Sequence, residues 1–136
     1  MRRKIVVFSV LALTTTGCVS KKVSTVEGIS KQDEICIIEN TEVRSEFLDV
    51  YKASIEKQGY KTSIKKGIDE SCVYTSRYTA TYGFHWGPYL ATADLKIFKG
   101  ESLIGSSKYK APKFDVSKHG KVVNKIEPLV QKMLAN

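Results

Sequence analysis

Residues 73–84 read VYTSRYTATYGF. Tyr74, Tyr78, Ala80, Tyr82 and Phe84 alternate with Val73, Thr75, Arg77, Thr79 and Thr81, a period of two that puts most of the bulk on one side of a strand. HWGP at 85–88 breaks the pattern, which resumes over 89–98 as YLATADLKIF. There Tyr89, Ala91, Ala93, Leu95 and Ile97 alternate with mostly polar partners. KGE at 99–101 turns the chain again, into SLIGSSKYKA. Three successive strands with short connections predict an antiparallel meander.

Upstream, EICIIEN at 34–40 is a short apolar run that reads as a largely buried strand. In residues 41–60, Val43, Phe47, Tyr51 and Ile55 recur every fourth position, and Leu48 and Val50 widen the stripe. Thr41 serves as an N-cap, Glu42 and Lys57 suit the helix dipole, and Gly59 suits the left-handed position after the last turn. An amphipathic helix follows from this pattern. The lysine-rich YKTSIKKGI at 60–68 reads as a polar edge strand. From about Ser117 the chain is helical again, with Val122, Ile126, Leu129, Val130 and Met133 on one side, and Pro128 predicts a bend or restart. The order predicts an α+β domain: a mainly antiparallel sheet of about five strands, with two helices packed on one face as a two-layer sandwich. The other face is expected to be polar and threonine-rich.

The N-terminus sets a different problem. Arg2, Arg3 and Lys4 precede an apolar run at 5–13 broken only by Ser9. That run is too short to span a bilayer, which takes ~20 apolar residues, and it reads as a secretory signal. The small residues before Cys18 resemble the lipobox of bacterial lipoproteins, in which the chain is cut before a cysteine that receives lipid. Gly17 and Cys18 fit, Thr16 is acceptable, and Thr15 departs from the usual Leu. The alternative is an ordinary signal peptide followed by an incidental cysteine. On the lipobox reading residues 1–17 are the signal peptide, 18–33 a lipidated N-terminus and flexible tether reaching roughly 20–24 Å, and 34–136 one domain. Acyl chains on Cys18, at ~0.8 kcal/mol per buried CH₂, give firm anchoring. Val19 in place of Asp resembles the outer-membrane sorting signal of enteric-type lipoproteins.

Three cysteines in an exported chain leave one over, and lipid on Cys18 leaves Cys36 and Cys72 as a pair. A bridge between them closes a loop worth ~4 kcal/mol in the loop-entropy account. The alternative is two buried free thiols.

The run at 77–112, RYTATYGFHWGPYLATADLKIFKGESLIGSSKYKAP, with VRSEFL at 43–48 and the ending KIEPLVQKML at 125–134, resembles a family of small outer-membrane lipoproteins of Gram-negative bacteria whose function is unknown. The resemblance implies an envelope location and an α+β domain. It implies no activity, and no catalytic residue carries over from it.

Residue patterns for chemistry are sparse. His85 and His119 are far apart in sequence with no carboxylate or cysteine at metal spacing, so no metal site and no cofactor are expected. There is no G-x-S-x-G elbow, no S-x-x-K and no phosphate-binding glycine loop. An enzyme is not expected. The chain carries +8, three of those charges lie in residues 2–4, and the remainder is near +5. Residues 33–58 hold seven acids against three bases, and residues 96–136 nine lysines against three acids. Such a surface is either solubilising or attractive to anionic envelope polymers and phosphates. Nucleic acid is disfavoured by compartment.

Two function classes remain. One is a non-catalytic binding or envelope-assembly module that faces the periplasm, or the cell surface, from the outer membrane and meets an envelope protein or anionic polymer. The other is a small inhibitor or ligand carrier; a basic inhibitor of lysozymes, themselves basic, would face repulsion. Candidate contacts are His85, Trp86 and Tyr89 around the Gly87-Pro88 turn. Trp86 shares the parity of Tyr82 and Phe84, which predicts that it folds back over the core-facing rim; the alternative is an exposed aromatic anchor.

Overall fold

The computed structural model describes residues 20–113 and 116–135; Cys18 and the signal region lie outside them. Strands β1 (Ser20–Ser24), β2 (Glu34–Ile38), β3 (Lys61–Lys65), β4 (Tyr74–Phe84), β5 (Pro88–Lys99) and β6 (Ser102–Lys110) form one sheet, and helices α1 (Ser45–Lys57) and α2 (Val122–Met133) cover one face. The strand order is β1-β6-β5-β4-β2-β3. The expected meander is β4-β5-β6, with antiparallel pairing throughout. β2 pairs in parallel with both β3 and β4, so the sheet is mixed at that side and antiparallel elsewhere. The architecture is the expected α+β sandwich, with a sixth strand.

That sixth strand corrects the tether. Residues 20–24 pair with β6 from Ser20↔Lys110 to Ser24↔Ser106. Val26 and Ile29 are buried, and the Val26 amide donates to the Met133 carbonyl at the end of α2. Val26 fits because Gly105 has no side chain: a Cβ there would come within 2.2 Å of Val26 Cγ2. The segment is part of the fold because its partner strand supplies the register that its own polar sequence lacks.

Two helix details also differ from expectation. α1 begins at Ser45, and Asn40 rather than Thr41 organises its approach. The Asn40 amide donates to the Tyr78 hydroxyl, its Nδ2 to the Tyr78 carbonyl, and its Oδ1 accepts from the Glu42 amide. At the other end Gly59 does take a positive φ, +92°. The C-terminal helical stretch is split into a short 3₁₀ helix, Val116–His119, and α2, which runs through Pro128 without a restart.

The core lies between the sheet and the helices. Phe47 of α1 stacks on Tyr78 of β4 with ring centroids 5.5 Å apart, and Tyr51 meets the same ring edge-on at 5.7 Å. The Tyr51 hydroxyl shares a 2.6 Å hydrogen bond with Ser76 Oγ, and burial holds its pKa far above the usual phenol value, so it stays protonated. Along β5, Leu95 and Ile97 face the helices as the alternation predicted. A bulge at Ala91 then shifts the phase: Tyr82 pairs with Leu90, which is buried, and Tyr89 falls on the other side.

Residues 66–73 return from the end of β3 to the start of β4 across the sheet face that the helices leave open. Cys36 lies between the inward-facing Ile35 and Ile37, so its sulfur points to that open face. It is disulfide-bonded to Cys72 with a Cα–Cα distance of 6.1 Å. The bridge therefore fastens this crossover onto the sheet.

Candidate functional site

Two exposed features on this scaffold are not explained by the core. The first is the open sheet face. Because side chains alternate, the register places Thr75, Arg77, Thr79 and Thr81 of β4 on one face with Thr92, Asp94 and Lys96 of β5, Lys108 and Lys110 of β6 and Lys22 of β1. One cross-strand row reads Thr79, Asp94, Lys108, Lys22, and the row beside it Thr81, Thr92, Lys110, Ser20. Lys22, Thr79, Thr92, Asp94, Lys108 and Lys110 together line a shallow groove. Five basic groups (Lys22, Arg77, Lys96, Lys108, Lys110) thus surround a single carboxylate in these rows. Asp94 Oδ2 lies 3.8 Å from both Lys96 and Lys108 Nζ, too far for tight pairing. Its Oδ1 is shielded and has no hydrogen-bond partner. Asp94 lowers the mutual repulsion of the lysines without neutralising the face.

The second feature is the β4-β5 hairpin, which holds the sequence-derived candidates. Phe84 pairs with Pro88, and His85, Trp86 and Gly87 form the loop, with the His85 amide donating to the Gly87 carbonyl at 3.0 Å. Trp86 does not fold over the rim: it is 92% exposed, and Phe84 is 80% exposed. Parity predicts a face only while the ladder continues, and the ladder ends at Phe84. Trp86 also holds φ at +60°, a conformation L side chains adopt rarely.

Tyr89 and His85 sit differently from Trp86. The His119 ring lies 6.2 Å from that of His85 and 5.5 Å from that of Tyr89, and Lys118 Nζ stands 4.8 Å from the Tyr89 ring centre. Gly83 makes room for Tyr89, since a Cβ at Gly83 would be 2.6 Å from its ring. The two histidines, remote in sequence, are neighbours here as a ring stack that fastens the 3₁₀ helix to the hairpin. Among the described residues no group of three or more His, Cys, Asp or Glu side chains is placed to hold a metal, and no helix is long and apolar enough to cross a membrane.

Sequence reading found the hairpin and missed the basic face. The signal was present, because Arg77, Lys96, Lys108 and Lys110 occupy the positions that alternate with the core residues. Charge counted along the chain hides it.

No family model and no curated protein matches the chain. Among solved structures it is similar in fold to PelC of Paraburkholderia phytofirmans. The L103M PelC dodecamer in space group C2 aligns at TM-score 0.61 and 8% identity, covering 85% of this chain and 95% of that one. The PelC dodecamer in space group P6 aligns equally well, with 98% of that chain covered. At this identity the likeness concerns the fold.

Proposed function

We propose that the protein is a non-catalytic binding module of the cell envelope, held to the outer membrane by lipid on Cys18 and offering its open sheet face to an anionic envelope polymer. The observation that supports this most directly is the cluster of Lys22, Lys96, Lys108 and Lys110 on three neighbouring strands around Asp94, at the end of the open face away from the groove that Arg77 shares with Asp69, Glu70 and Glu101. Strand spacing of ~4.8 Å and a two-residue repeat of ~6.6 Å make these rows a lattice of positive charge on a rigid plane. A flexible polyanion meets such a plane at several points at once, which favours multivalent, salt-sensitive attachment. Asp94 works against a fully neutralising ligand and favours one with spaced charges. The resemblance to envelope lipoproteins agrees with the location, as does the n-region, apolar run and Gly17-Cys18 junction.

The face is tested by charge reversal. Titrating the protein with alginate, a carboxylate polymer, at low salt should show binding that weakens as salt rises, and Lys96→Glu with Lys108→Glu should weaken it by about tenfold or more, ~1.4 kcal/mol. Equal affinity in the double variant would remove the open face as the binding surface. The anchor is tested separately. Cys18→Ser should abolish palmitate labelling and release the protein from sedimented membranes, and unchanged sedimentation would refute lipid attachment.

A further inference from the structure

The hairpin tip and the start of β1 lie at the same end of the sheet. Ser20 pairs with Lys110, Lys110 with Thr92 and Thr92 with Thr81, so these four residues form one row across the sheet. Beyond that row β4 continues for three more residues, to Phe84, and then turns through His85, Trp86 and Gly87. At ~3.3 Å per residue Phe84 stands about 10 Å past the level of Ser20, with Trp86 farther still. From Ser20 to Cys18 is two residues of chain, which span at most ~7 Å. With strands ~4.8 Å apart, the hairpin is displaced sideways from β1 by roughly 15 Å.

We infer that the Phe84–Trp86 tip is a second membrane contact, inserting its aromatic side chains into the interfacial layer of the lipid surface to which Cys18 is anchored. The inference rests on the anchor reading for its geometry. An anchor within ~7 Å of Ser20 brings this end of the sheet to the membrane, and a rigid hairpin that projects farther than Ser20 then meets the headgroups. Its chemistry suits that layer. Tryptophan concentrates at membrane-water interfaces, and Phe84 beside it adds apolar surface that has no cover among the described residues. Exposed lysines flank the same end on its β1-β6-α2 side: Lys21 in β1, Lys110 at the end of β6, and Lys113 and Lys121 on the path into α2. They suit anionic headgroups. Glu46 lies on the α1 side of this end, near Arg44 and Tyr82, so the end is tilted in charge and favours approach by the lysine side. The left-handed φ of Trp86 points the same way, since a hairpin of this length is better served by glycine and a tryptophan that is 92% exposed, meeting the neighbouring His85 ring edge-on at 6.1 Å, adds little to the core.

Two contacts about 15 Å apart fix an orientation that one lipid anchor leaves free. The open basic face then stands upright on the membrane, with its strands along the membrane normal.

Trp86 is the only tryptophan, so its fluorescence reports the tip alone. The full lipidated protein is reconstituted into vesicles of phosphatidylethanolamine and phosphatidylglycerol, with and without brominated acyl chains, and the acylation of Cys18 is read independently by mass spectrometry. The expected result is a shift of emission to shorter wavelength, loss of intensity with brominated lipid, and protection from iodide. The residual partition of Cys18→Ser protein onto the same vesicles, too weak to survive sedimentation and read by titration with excess lipid, should fall by roughly tenfold or more when Phe84 and Trp86 are both changed to Ser, as the loss of two buried aromatic side chains requires. The melting temperature should not move. An acylated Cys18 with Trp86 open to iodide and unquenched by bromine would overturn the inference while the anchor stands. Iodide protection without bromine quenching would assign the tip to a second copy and overturn it too. An unacylated Cys18 with a quenched Trp86 would overturn the anchor and leave the hairpin contact standing.

Discussion

Removing residues 20–29 should leave the domain largely unfolded at room temperature. A tether could be shortened without loss, but this segment places Val26 at 0% and Ile29 at 4% exposure. Burial of such side chains contributes ~1.5–3 kcal/mol each, so the deletion costs about 3–6 kcal/mol from these two alone, against a typical domain stability of ~5–15 kcal/mol. The β1 ladder is lost besides. Far-UV circular dichroism in urea is the right measurement, because the exposed Trp86 reports poorly on the core. A deletion variant with the wild-type midpoint would restore the tether reading. A finer test uses the contact between Val26 and Gly105. Gly105→Ala forces a methyl group onto Val26 Cγ2, and overpacking of this kind costs ~1–3 kcal/mol. Val26→Ala removes the obstructing methyls. The double variant should therefore be more stable than the sum of the two single losses, a coupling expected only of side chains in contact. Strict additivity would mean that the segment does not dock there.

The second large effect concerns the bridge between Cys36 and Cys72. Their sequence separation of 36 puts the loop-entropy contribution at about 4 kcal/mol. Cys36→Ser with Cys72→Ser should lower the unfolding free energy toward that value, and reductant should do the same to the wild type. The native structure should suffer most along residues 66–73, since the bridge joins this crossover to the open face, and limited proteolysis should cut first there. An unchanged urea midpoint after complete reduction would show that the crossover is held by other contacts.

What the sequence revealed follows from how strongly each element declares its own environment. β4 as far as Tyr82, and α1 throughout, turn one face to the core, so the period of two from Tyr74 and the fourfold spacing from Phe47 are visible without any partner. β1 shows no such period. Of SKKVS only Val23 touches the core, and the strand exists because β6 offers an unpaired edge beside Gly105. The bulge at Ala91 is equally silent, because an inserted residue changes the phase without changing composition. The exposure of Trp86 is hidden for a related reason: the parity is real as far as Phe84, but beyond the last paired residue no sheet remains to give parity a meaning. The pairing of cysteines was legible by arithmetic. Its role in fastening 66–73 to the open face was not, since that depends on which way Cys36 points. The basic face required the register of four strands, and the proximity of His85 to His119 required the 3₁₀ helix to turn back on the hairpin.

The pairing of β1 with β6 also has a consequence in time. Ser24 is made about eighty residues before its partner Ser106, and Val26 before the Met133 carbonyl that receives its amide. Contacts this distant along the chain form slowly, because the entropy of closing the intervening loop must be met first. As the chain emerges from its N-terminus, the first strand and the pocket for Val26 therefore stay incomplete until the last helix has appeared. The pairing of β1 with β6 and the docking of Val26 against the end of α2 are therefore late events, joining the first and last described elements. A chain made only as far as β5 therefore leaves residues 20–24 without a partner strand and Val26 without the carbonyl that receives its amide.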